Sequence, residues 1–224
     1  MDAVSPAKLP RLRQAVVAAT ELDPVVERLK QALDLGEPYN DPGVSYFGLC
    51  NAVFAIGDQF LEVVSPVQDN TAAGRLIERR GGDCGYMLMF QVEDLAAARE
   101  RAAEAGVREV FAVELDEIEE LHLHPADMQG AIVALSTPKP PQAWRWGGAG
   151  WEQRAAPGAI TSVTVAVTDP DAVAARWRHV IGGPAGIEFV SDDAARGPIS
   201  MSLKAPPAHT QLPADVAGVR FERS

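Results

Sequence analysis

The 224 residues carry a formal net charge of −11 and are 47% apolar. That supplies real cores, while the acidic balance argues against nucleic acid and anionic membrane as partners, because both need clustered Lys and Arg against phosphate. No stretch approaches the roughly 18 uninterrupted apolar residues of a membrane span, and residues 1–13 hold charges and prolines rather than an apolar signal core, so the expected compartment is the cytoplasm.

From Gln14 an alternating strand leads to Asp23-Pro24, a cap and first turn, and then to a helix with Val25, Val26, Leu29 and Leu33 on one face. Gly36 is expected to close it. Short β runs are expected at 45–49, 51–56 and 59–64, with Gly57-Asp58 as a hairpin turn. The run holding Arg75, Arg79 and Arg80 before Gly81-Gly82 reads as a helix and flexible loop. It is either a solvated face or, beside a site, a clamp for an acidic group or a diphosphate.

The strand–helix pattern returns at Met87, with Asp94 as cap and Gly106 as stop, followed by β runs at 109–113, 120–124 and 131–136. The acidic run 114–120 reads as solvated. A connector at 138–157 holds Trp144, Trp146 and Trp151, which are costly to leave in water; it packs onto a domain face or closes over a site as a lid. The pattern returns again at Ser162, with Asp169-Pro170 opening the helix and β runs at 186–190, 199–204 and 218–222. Three such matches imply an α+β chain of repeated βαβββ units. The division is a two-unit domain at 9–137, the connector, and a third unit at 158–224.

FLEVVSP from Phe60, FQVEDL from Phe90 and LHLHPADMQGAIVAL from Leu121 resemble the vicinal oxygen chelate superfamily, which includes glyoxalase I, methylmalonyl-CoA epimerase, extradiol dioxygenases and bleomycin-resistance proteins. The resemblance implies a cupped, eight-stranded mixed sheet with helices outside. It also implies metal ligands on the first and last strands of each unit, typically His, Glu, His and Glu. Here those positions fall on Gln14, Glu62, Met87 and Ala134. Only Glu62 is a good ligand, since a neutral amide is weak, a thioether is too soft for hard divalent ions and alanine offers nothing. Tyr86 would be turned into the helix layer by the period-two rule. No divalent metal and no other cofactor is therefore expected.

Alternation puts Gln14 on the inner face with Val16 and Ala18, and Met87 with Met89 and Gln91. Gln14, Glu62, Met87, Met89, Gln91 and Ala134, with Arg79 at the mouth, form the expected ligand-binding set. Glu62 in an apolar cup would have its charged form disfavoured; it reads equally as an acid–base group or as a satisfied polar residue. His122 and His124, two apart on a strand, point to one face and could join Glu62 on a metal or serve as its catalytic partners. The plainer and favoured role is His124 ordering the turn before Pro125, since no further carboxylate or His is placed to complete a metal set. His179 and His209 read as surface residues. Cys50 and Cys84 have no basic sequence neighbour to activate them and read as inert, with reactivity at Cys84 the alternative.

A lone third unit would expose an apolar face. It must pack on the first domain or pair with a second chain; a homodimer is expected. Three functions stay open: metal-free binding of a small molecule in the cup, a lyase or isomerase of glyoxalase or epimerase type using Glu62, and an interaction protein built on the dimer.

Overall fold

The computed structural model describes residues 8–183, 185–194, 196–204 and 211–224; His209 lies outside the described residues. Strand β1 (Arg11–Ala18) leads to helix α1 (Leu22–Leu33). Asp23 lies inside the first turn rather than capping it, since Glu21 holds the cap position without a side-chain bond. The predicted apolar side, Val25, Val26, Leu29 and Leu33, is buried. The helix ends on Asp34 in the left-handed region, φ 54°, two residues before Gly36.

The predicted strand at 45–49 does not form. Pro42–Phe47 is a 3-10 turn, with Asp41 accepting a hydrogen bond from the Gly43 N–H at 2.9 Å. Pro42 sets φ and lacks a ladder donor, so the backbone turns where a strand would have run. A single bridge between Tyr39 and Val53 occupies the vacated edge.

The hairpin β2 (Leu49–Ile56) and β3 (Gln59–Pro66) follows, then α2 (Ala72–Arg80), β4 (Cys84–Gln91) and α3 (Leu95–Glu104). Asp94 caps α3 as predicted, accepting from Ala97 N at 3.0 Å. The second unit ends with β5 (Glu109–Leu115), β6 (Ile118–Leu123), a one-turn α4 (Pro125–Met128) and β7 (Ile132–Pro138). Among the described residues the first sheet has seven strands rather than eight, in the order β2-β3-β1-β4-β7-β6-β5. β1 and β4 lie antiparallel at its centre, and each runs parallel to the last strand of its own unit, β3 or β7.

Past the connector, which contains a 3-10 turn at Arg145–Gly147 and the short α5 (Trp151–Arg154), come β8 (Ala159–Val167), α6 (Pro170–Ile181), β9 (Ile187–Ser191), β10 (Gly197–Lys204), β11 (Ala214–Val216) and β12 (Val219–Arg223). Their sheet runs β11-β12-β10-β8-β9. This differs from the expected βαβββ unit, in which β8 would pair with its last strand. Instead β8 runs parallel to β9, and β10 takes the antiparallel place beside β8 that β4 takes beside β1. β12 is parallel to β10, as β7 is to β4. The segment is thus a reduced copy of a two-unit sheet, with no described helix in its second half.

Its apolar face is covered within the chain. Val163, Val165, Val167, Met201 and Leu203 share one core with Ala15, Val17, Leu88 and Phe90 on the outer face of the first sheet, and with α1, α3 and α6. Trp177 of α6 meets Phe90 edge-on at 6.1 Å between centroids and donates its indole N–H to Met128 O at 2.7 Å. Burying each such large side chain stabilises by roughly 1.5–3 kcal/mol. Gly85 permits the sheets to touch, because a Cβ there would lie 2.2 Å from the Pro198 carbonyl oxygen. The opposite face presents the partly exposed Ser162, Thr164, Ser200 and Ser202. The uncovered half-sheet that motivated a homodimer is therefore absent. No helix of the described residues is long and apolar enough to cross a membrane.

Candidate functional site

The inner face of the first sheet forms the cup. Gln14 and Glu62 are buried there, on β1 and β3. Gln14 Nε2 donates to Glu62 Oε2 at 2.6 Å, and Asn51 Nδ2 on β2 donates to Glu62 Oε1 at 2.7 Å. Burial pushes the Glu62 carboxyl up to about 7, against the opposing pull of these two donors. The nearby carboxylates Asp41 and Glu120 add smaller upward contributions.

A cavity of about 840 Å³ opens above Glu62. Met87, Met89 and Val64 floor it, and β5 and β6 supply the far wall through Phe111, Leu115, Glu120 and His122. His122 Nε2 lies 2.8 Å from Glu120 Oε1, while the other oxygen of Glu120 accepts from Ser136 Oγ at 2.6 Å and from the Trp146 indole at 2.8 Å. Glu120 is only 3% exposed, so the reading of 114–120 as a solvated run fails at this residue. The alternation that places His122 inside places Glu120 there too.

Tyr86 also lines the cavity, contrary to the expectation that it faces the helices. The β1–β4 register slips between Val16, paired with Met87, and Val17, paired with Gly85. Tyr86 is the extra residue of that bulge, so the period-two count fails there. Burial raises its phenol to about 12.

One other expected ligand contact, Gln91, belongs to the connector instead. A second slip, between Leu12 and Gln14, lets Arg13 reach the inner face. The Arg13 guanidinium donates to Gln91 Oε1 at 2.7 Å and Gln142 O at 2.8 Å, and its carbon sits 5.2 Å from the Trp144 ring centre. Desolvation, and then the charge of Arg11, lower it to about 10. Gln91 donates in turn to Pro141 O at 2.7 Å, so it anchors the chain rather than lining the cavity. Ala134 is fully buried beneath the inner face.

Trp144 stacks on Phe60 at 6.1 Å and Trp151 meets the same ring edge-on at 5.2 Å. The connector thus packs on the sheet, while Trp146 lines the cavity. Of the remaining candidates, His124 caps α4, accepting from Ala126 N at 3.1 Å, and does not line the cavity. Arg79 is exposed on α2 and lies outside the lining. His122, Gln14, Glu62, Met87 and Met89 are brought together.

A family model described as a glyoxalase-like domain matches residues 12–181. The chain belongs to this family. The match runs through the connector into α6, so the glyoxalase-like region includes the Trp-bearing segment that plugs the cup. This family assignment bears out the superfamily resemblance. An ethylmalonyl-CoA/methylmalonyl-CoA epimerase of Cereibacter sphaeroides is 24% identical over 131 residues, 56% of this chain and 96% of that protein. Among solved structures, a Streptomyces coelicolor methylmalonyl-CoA epimerase variant in complex with 2-nitronate-propionyl-CoA matches with TM-score 0.52 and 20% identity, over 61% of this chain and 100% of that one. The Mycobacterium tuberculosis methylmalonyl-CoA epimerase matches with TM-score 0.51 and 20% identity, over 61% and 93% of the two chains. These structural likenesses establish a shared fold.

The metal implied by the superfamily does not fit this glyoxalase-like cup. Gln14 Oε1 is occupied by the Trp144 indole N–H at 2.6 Å, and both Glu62 oxygens accept amide N–H groups. Ala134 and the two thioethers add no hard donor. Among the described residues, no three His, Cys, Asp or Glu side chains are grouped to hold a metal.

Proposed function

We propose that the cup binds a small organic molecule and moves a proton on it without a metal, as an isomerase or epimerase. Glu62 acts as one acid–base group and His122 as the other. The observation that carries this reading is Glu62, fixed by Gln14 and Asn51 beneath the 840 Å³ cavity with its carboxyl near 7. Either protonation state is then accessible at neutral pH, which acid–base catalysis requires. Glu120 holds the His122 ring in place. Glu62 removes a carbon-bound proton and His122 delivers a different one, after which both groups exchange protons with solvent to reset, so the molecule is rearranged with no oxidant or leaving group. The names of the epimerase relatives fit such chemistry.

The test is native mass spectrometry for a co-purified molecule, followed by deuterium uptake into it from D2O. Uptake by wild type and its loss in Glu62→Gln, with binding retained, is the expected result. A second reading, sequestration without chemistry, is favoured by the fact that both Glu62 oxygens already have partners. Binding with no deuterium uptake by wild type would select it.

A further inference from the structure

Building on the reading of the cup as a ligand site, we infer that its ligand is an organic cation: an ammonium or related group on an apolar body. The lining carries three carboxylates, Asp41, Glu62 and Glu120. Arg145 is the guanidinium among the described lining residues, and it is 3.2 Å from both oxygens of Glu117. Three side-chain donors of the lining are turned elsewhere, Gln14 and Asn51 toward Glu62 and Trp146 toward Glu120, while the hydroxyl-bearing Tyr39, Tyr46 and Tyr86 line the space as neutral groups. An anionic ligand would enter a low-dielectric space facing like charge, with neutral hydroxyls rather than a guanidinium or ammonium free of an acidic partner to receive it, which is costly.

The basic run on α2 does not correct this balance. Arg80 donates to Ala194 O at 2.8 Å, Arg75 to Asn70 O, and none of Arg75, Arg79 and Arg80 lines the cavity. The acidic-substrate clamp considered from sequence therefore has no cation at the cup.

The mouth is aromatic. The rings of Tyr46 and Phe47 lie 5.1 Å apart, Phe47 and Phe111 5.1 Å apart, and Phe111 and His122 4.8 Å apart. Tyr39 and Trp146 also line the space. Tyr46 is 79% exposed and Phe47 41%, held there by the 3-10 turn that replaces an edge strand. Aromatic faces attract a cation within roughly 6 Å, with the largest gains for quaternary ammonium groups shielded from water. Rings at the entrance and carboxylates on the walls form one continuous path for such a ligand.

The experiment compares three probes of one shape by ligand-observed NMR titration: benzyltrimethylammonium, its uncharged carbon analogue neopentylbenzene, and phenylmethanesulfonate. The cation should bind at least tenfold more tightly than either of the others. Asp41→Asn and Glu120→Gln should each narrow that gap while neopentylbenzene binding is retained, which also shows that the variants fold. Equal binding of neopentylbenzene, or tighter binding of the sulfonate, overturns the cationic assignment and leaves the cup as a ligand site. Failure of all three probes, together with no small-molecule adduct in native mass spectrometry, overturns the cup reading itself and this inference with it.

Discussion

Gln14 gives Glu62 an amide N–H at 2.6 Å and receives the indole N–H of Trp144 on its other end at the same distance. An indole can only donate, so it fixes the amide oxygen toward itself and the amide nitrogen toward the carboxylate. The connector thereby sets the hydrogen bonding of a residue on the central strand β1. Trp144→Phe should leave Gln14 free to turn, weaken its support of the charged form, and raise the Glu62 carboxyl further above about 7. A ¹³C NMR titration of the Glu side chains reads this shift. Urea denaturation should show a loss of about 1–3 kcal/mol for the unsatisfied buried group.

Glu62 also makes stability depend on pH. Its carboxyl is raised from 4.5 to about 7, so the folded chain holds this proton more tightly than the unfolded chain. The stabilising contribution is full below about pH 4.5 and is lost as pH rises through 7. Between pH 5 and pH 8, wild type should lose roughly 2–3 kcal/mol relative to Glu62→Gln. Denaturation curves of the two proteins at several pH values measure the difference; parallel profiles would exclude a raised Glu62.

Arg13 ties the connector to the sheet through its bonds to Gln142 O and Gln91 and its place over Trp144. Arg13→Ala should cost about 1–3 kcal/mol, the scale of leaving buried neutral acceptors without their donor. It should also expose the 138–157 segment to limited proteolysis before either sheet is cut.

Gly85 lies where β4 meets β10. Gly85→Ala should push the Pro198 carbonyl away and lower the midpoint of thermal unfolding, at a cost of about 1–3 kcal/mol for overpacking. Because Gly85 is two residues from Met87, which lines the cavity, ligand affinity should fall in the same variant. Ligand titration beside the melt checks the coupling.

Most of the first domain was legible because alternation and caps coincide. Asp94 and Asp169 cap the helices they were expected to cap, and Glu62 points where its strand position implied. Two of the misses share one cause: local irregularity overrides periodic counting. Pro42 turns the chain before a strand can form, and the bulge at Tyr86 brings a second residue into the cup. Glu120 was lost to its neighbours, since a run of acids suggests water while only alternate members of a strand face it. The pairing of β10 with β8 had no local signal at all, because parallel and antiparallel partners are chosen by tertiary packing rather than by the strand's own residues.

The turn at Pro42–Phe47 has a kinetic consequence. Trp144 packs on Phe60 at one end of the trough, and the exposed rings of Tyr46 and Phe47 stand beside its opening. Substitutions at Tyr46 or Phe47 are therefore expected to change the lifetime of a bound molecule while leaving Glu62 and His122 as they are.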